Sequence, residues 1–176
     1  MTPPAGGRNS CFAVLPTFRP DSALEVENPE AWNAYRGKLE AAAGVPVDSF
    51  EAFVRALDKR HEFFHGMGAR ATDHAIVFPY AEEATADELE KIFRKLLKKE
   101  PLSQQEVLQF KTAGLAAVGR MNHRRGWVMQ LHLAALRNTN TRQFKLHGPD
   151  SGYNSMDDRA VAAALALPAL ASSRRI

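Results

Sequence analysis

A chain of 176 residues with 45% hydrophobic content has the composition of a single globular domain and enough apolar side chains for a sizeable core. Its formal charge of +3, from 23 basic against 20 acidic residues, is too small to mark a nucleic-acid binder, and no zinc-finger spacing, phosphate-binding glycine loop or RNA-recognition aromatic motif is present. No apolar run approaches the roughly 20 residues of a transmembrane helix, the N-terminal residues lack a secretory pattern, and the lone Cys11 has no disulfide partner within the chain; a cytoplasmic protein with no membrane or nucleic-acid partner is expected.

Residues 1–11 read as an irregular lead. Residues 12–18, FAVLPTF, read as a strand, with Cys11 at its start, and Pro20 with Asp21 form a turn. Pro29 then opens a helix through Trp32, Tyr35 and Leu39, which Gly44 and Pro46 stop. Asp48 and Glu51 read as a capping pair for a second helix carrying Phe50, Phe53, Val54, Leu57 and Phe64 at helical spacing. Residues 71–78, ATDHAIVF, form the second predicted strand.

Two further helices start at capping boxes, Thr85 with Glu88 and Ser103 with Glu106. The first buries Leu89, Ile92, Phe93, Leu96 and Leu97, while its basic run KIFRKLLKKE reads as a solvated face. The second presents Val107, Phe110, Gly114, Ala117, Val118 and Met121, a core face whose glycines predict close packing. Residues 127–133, WVMQLHL, form a third strand. Alternation there puts Val128, Gln130 and His132 on one side and Trp127, Met129, Leu131 and Leu133 on the other.

The order strand, two helices, strand, two helices, strand predicts an α/β fold with parallel pairing through right-handed crossovers. A closed (β/α)8 barrel needs eight strands and about 250 residues, so three strands make either an open layered piece or part of a larger barrel. Residues 160–176 read as an alanine- and leucine-rich helix or tail broken by Pro168.

Chemistry concentrates in residues 130–155. His132 ends an apolar strand, and Arg137, Asn138, Asn140, Arg142, Asp150 and Asn154 crowd the loop behind it, the arrangement from which parallel α/β folds build active sites. Asparagine in such loops commonly bonds the backbone, so Asn138, Asn140 and Arg142 are expected to fix the loop. Asp73 and His74 are adjacent on a strand, so only one of them faces any given side. His61, His65 and His123 fall on helices or helix ends and read as solvated or capping residues; by the same reasoning His132 alone reads as a satisfied core histidine.

The strings VLPTFRPD (residues 14–21), GARATDHAI (68–76), QFKTAGL (109–115) and RRGWVMQLHLAALRNTNTRQFKLHGPDSGYNS (124–155), followed by Asp157, Asp158 and Arg159, resemble uronate isomerase, the bacterial glucuronate isomerase of the amidohydrolase superfamily. The resemblance covers about residues 12–159. It implies that the chain is the central part of a (β/α)8 TIM barrel of the amidohydrolase type, contributing about three parallel strands with paired crossover helices. It implies aldose–ketose isomerisation of D-glucuronate to D-fructuronate and of D-galacturonate to D-tagaturonate.

On the same basis Arg19, Arg137 and Asn138 bind the hexuronate, and His132, Asp73 and His74 are the catalytic candidates. The family's divalent metal, zinc, has its ligands on the first and eighth strands, so no metal ligand is expected in this chain. A fragment of this kind is expected to be inactive alone and to associate through open sheet edges or form a homo-oligomer. A non-catalytic sugar-acid-binding remnant and another amidohydrolase-type hydrolase are the alternatives. The sequence departs from the family pattern at Ala134, where glycine is usual, Thr139 (asparagine), Ala69 (cysteine) and Tyr153 (phenylalanine).

Overall fold

Asn28, Pro29 and Gly44 bracket the first helix, α1 (Pro29–Ala43). The Asn28 side chain accepts from the amides of Glu30 and Ala31, Pro29 occupies the first turn where no amide partner is lost, and Gly44 closes the helix at φ +65. In this computed structural model, residues 14–76, 80–149, 151–158 and 161 are described. α2 (Phe50–Gly66) starts from Ser49, whose hydroxyl accepts from the Ala52 amide at 3.2 Å. The expected capping pair of Asp48 and Glu51 is therefore corrected: Asp48 stands one residue too far out, and Glu51 instead pairs with Arg55 at 2.6 Å. α3 (Ala86–Leu97) and α4 (Gln104–Arg125) both begin with the anticipated capping boxes, Thr85 with Glu88 and Ser103 with Glu106.

β1 (Ala71–Ile76) and β2 (Val128–Leu133) pair in parallel, from Ala71 opposite Val128 to Ile76 opposite Leu133. The predicted crossover through two helices is thus present. The strand expected at 12–18 is corrected: among the described residues it shrinks to one parallel bridge, in which the Phe18 amide donates to Ala71 O and Phe18 O accepts from the Asp73 amide, both at 3.1 Å. Pro16 and Pro20 flank that bridge, and neither has an amide hydrogen to extend the ladder. Residues 12 and 13, residues 77 and 78 of the second predicted strand, and most of the 160–176 tail lie outside the described residues. β2 begins at Val128 rather than Trp127, because the Trp127 amide is still bonded to Asn122 O at the end of α4.

After β2 come elements the sequence did not disclose: a two-residue antiparallel pairing of β3 (Ala135–Leu136) with β4 (Ser155–Met156), and a short α5 (Thr141–His147) between them.

The core lies on one side of the sheet. Trp32 meets Phe93 and Phe110 edge-on at 5.4 and 5.8 Å, with Phe53 beside them, and the Trp32 indole donates to Ala23 O at 3.0 Å. A second patch joins Leu24, Ile76 and Leu115 to Met129, Leu131 and Leu133, the predicted apolar face of the third strand. Gly114 is where α4 comes closest: a Cβ there would stand 2.3 Å from Leu24 Cδ2. The other face of the sheet carries Asp73, Gln130 and His132, and Val128 on it is 67% exposed.

His61 corrects the reading of the helical histidines as solvated. It is fully buried, its ring centroid 3.8 Å from that of Trp127 at a 31° tilt, and its Nε2 donates to Asn122 Oδ1 at 2.8 Å while Asn122 Nδ2 donates to Thr72 Oγ1 at 2.6 Å. Its position four residues after Leu57 places it on the inner stripe of α2. Burial is the main cause that lowers its pKa from 6.5. Among the described residues no helix is long and apolar enough to cross a membrane.

Candidate functional site

The parallel register places Ala75 beside His132 and Asp73 beside Gln130, so β1 and β2 present Asp73 and His132 on the same, helix-free face. His132 Nε2 lies 2.5 Å from Asp73 Oδ1, an ion-pair contact by distance whose angle is not that of a hydrogen bond. Arg19, just past the Phe18 bridge, donates from Nη1 to Asp73 Oδ2 at 3.1 Å. Three of the six candidate residues, Arg19, Asp73 and His132, thus meet at one point although they come from three separate segments of the chain.

Of the adjacent pair, Asp73 takes the helix-free face and His74 the covered one, as strand alternation requires. His74 is 1% exposed and reaches the cluster through Asp21, a residue that the sequence places in a turn and gives no part in the site. Asp21 Oδ2 accepts from Arg19 Nε and from the Ala75 amide, each at 2.9 Å, and Oδ1 accepts from His74 Nδ1 at 3.2 Å. Burial acts to raise the Asp21 carboxyl, but the donors from His74, Ala75 and Arg19 outweigh it and hold the group below its ordinary 3.8. The signal in the sequence is Pro20, which has no amide hydrogen to carry the ladder on; the chain turns there, Pro20 O accepts from the Ala23 amide, and the Ala75 amide takes Asp21 as its acceptor.

Behind the site, on the helix-covered side, lies a cleft of about 250 Å³ lined by Asp21, Glu27, His74, Tyr80, Lys111 and Leu115. Lys111 pairs with Glu27 and sits 5.3 Å from the Tyr80 ring. Burial, with the charges of Glu27, Asp21 and Glu25, pushes the Tyr80 hydroxyl up to about 12. The cleft is smaller than the ~300 Å³ lower bound for small-molecule sites.

Arg137 and Asn138 occupy the turn between β3 and α5. Asn138 stands at φ +57 and its amide donates to Asn154 Oδ1 at 3.1 Å; Asn140 caps α5 by accepting from the Gln143 amide. The expected loop-fixing duty thus holds for Asn140, while Arg142 lies on α5 itself. The Asp157 amide donates to Ala134 O at 2.8 Å, tying the loop back to the end of β2. Arg137 is exposed in this turn.

Among the described residues no three His, Cys, Asp or Glu side chains converge on a point where a metal ion would sit. Both carboxylates of the cluster are engaged by Arg19, a donor set that suits a guanidinium and does not fit a divalent ion.

A family model described as glucuronate isomerase matches residues 6–173. The uronate isomerases of Phocaeicola vulgatus and Bacteroides thetaiotaomicron are 44% and 43% identical to this chain, each match covering 90% of it and 34% of the relative. The solved uronate isomerase of Thermotoga maritima aligns with a TM-score of 0.75 at 34% identity, over 86% of this chain and 34% of that one. The solved glucuronate isomerase of Caulobacter crescentus, 24% identical with a TM-score of 0.73 over 89% of this chain and 32% of that one, shares the fold. The chain spans about a third of the length of the relatives it matches. Across that third, from before the Phe18 bridge to beyond the β3–β4 pairing, the chain belongs to the glucuronate isomerase family.

Proposed function

We propose that this chain is the substrate-binding third of a uronate isomerase that interconverts D-glucuronate with D-fructuronate and D-galacturonate with D-tagaturonate. The observation that carries the proposal is the convergence of Arg19, Asp73 and His132 on the helix-free face of two parallel strands, with His132 the next-to-last residue of β2, near the strand end where α/β folds place their chemistry. In this reading the two-stranded sheet continues into a (β/α)8 barrel of the amidohydrolase type, in the cytoplasm, and the divalent ion implied for the family is held by residues outside this chain.

The reaction moves one proton between C1 and C2 and another between the two oxygens. A uronate also brings a carboxylate, for which a planar guanidinium is the matching bidentate partner. Arg19 takes that carboxylate. His132, 46% exposed beside it, exchanges a proton with a substrate hydroxyl, and Asp73 contacts both side chains and holds them in place. Arg137 and Asn138 reach sugar hydroxyls from the turn after β3, and His74 acts from behind through Asp21.

The test is to graft this chain in place of the matching third of the Thermotoga maritima enzyme and follow uronate isomerisation. Arg19→Ala should raise KM about tenfold, and His132→Asn should lower kcat at least about 100-fold, the size of a lost general acid–base. A folded graft in which His132→Asn turns over at the parent rate excludes His132 from proton transfer, and turnover of a lactone or amide but no uronate overturns the reading altogether.

A further inference from the structure

We infer that Asp21 is a positioning residue of this site, fixing the Arg19 guanidinium in the orientation from which it meets a sugar-acid carboxylate. The inference rests on the role proposed for Arg19 and adds the residue that sets its geometry. It starts from the ladder. Phe18 bonds the carbonyl of Ala71 and the amide of Asp73, so the next rung belongs to the Ala75 amide. In a continuing strand its acceptor would be the carbonyl of Pro20. The chain instead turns there into a 3-10 turn (Asp21–Ala23), and Pro20 O accepts from the Ala23 amide at 2.9 Å. Asp21 Oδ2 takes the vacated place on Ala75 and is thereby pinned to the β1 backbone.

The same oxygen accepts from Arg19 Nε, while Asp73, also on β1, accepts from Nη1. Two sides of the guanidinium are gripped by two carboxylates, one carried on β1 and the other bonded to its backbone. His74, buried behind, donates to the remaining oxygen and settles the rotamer of Asp21 itself. A long, 46% exposed arginine would otherwise spread over many rotamers, and clamping it beforehand removes that cost from binding.

Charge and geometry make opposite predictions here. One guanidinium between two carboxylates leaves a negative balance, so Arg19 attracts an anion through aimed N–H groups rather than surplus charge. Were Asp21 only a charge, removing it would tighten anion binding. As a positioning residue, its removal weakens it.

The experiment is nitrogen-15 NMR on the full chain. The Arg19 Nε–H should give a single slowly exchanging line that persists in Asp73→Asn and disappears in Asp21→Asn, with the Trp32 and Trp127 indole signals unmoved as the control for folding. D-glucuronate should then bind Asp21→Asn about tenfold more weakly than the native chain. An Arg19 line unchanged in Asp21→Asn, or affinity equal to or tighter than native, overturns the inference. A line fixed by Asp21 but unmoved by D-glucuronate in the native chain upholds the positioning and removes the substrate instead.

Discussion

Ala134 stands at φ +55 directly after β2, in the left-handed region that an alanine side chain resists by about 1–2 kcal/mol. It is buried and its carbonyl accepts from the Asp157 amide, so the backbone is held there by the loop it anchors. Ala134→Gly is therefore expected to raise stability by about 1 kcal/mol, read as a higher urea midpoint. Asp21 supplies a second expectation. Its folded carboxyl titrates below the ordinary 3.8, so the unfolded chain takes the proton first; the stability it provides is complete above that value and drains away as pH falls through the folded one. Urea midpoints measured from neutrality into acid should fall less steeply in Asp21→Asn than in the native chain. The two residues differ in how far sequence reveals them. The departure from glycine at Ala134 was visible in the string LHLAALRN, whereas the duty of Asp21 depends on a ladder that only the fold discloses.

Among the elements, α3 and α4 were readable to the residue at their starts because capping boxes are local chemistry. The start of α2 was misread by one position, since Asp48, Ser49 and Glu51 offer competing caps and only backbone geometry chooses Ser49. β3 and β4 are two residues each, too short for alternation to register. His61 was hidden by its polarity, although Leu57 and His61 share a stripe. Its partner Asn122 joins α2, α4 and β1, bonding His61 on one side and Thr72 on the other in a fully buried setting. Asn122→Ala leaves both partners unmatched and is expected to cost about 1–3 kcal/mol, measurable by urea denaturation. Because burial holds the His61 pKa below 6.5, the unfolded chain also binds this proton first, so part of the acid loss begins as pH falls through 6.5. His61→Gln should remove that early part of the curve while leaving the later, carboxylate part.

For the whole molecule, parallel pairing through two-helix crossovers was legible from element order, because the handed connection leaves few topologies. The extent of the sheet was not, since prolines at positions 16 and 20 cut the first strand to one bridge. Among the described residues β2 has no strand on its outer edge, and the face bearing Asp73, Gln130 and His132 has no covering layer. Such an edge pairs readily with other chains. The isolated chain is expected to show little isomerase turnover and to elute from size exclusion as dimers or larger species; a clean monomer by light scattering would contradict this.

The one-sidedness of the core has a consequence for how such a chain is made. The aromatic cluster around Trp32 and the tie from His61 through Asn122 to Thr72 close entirely on the helical side, drawing nothing from the sheet's other face. A segment built this way can bury its apolar surface as soon as β2 has left the ribosome. Any strand that pairs with β2 then meets a preformed template, its amides and carbonyls already aligned.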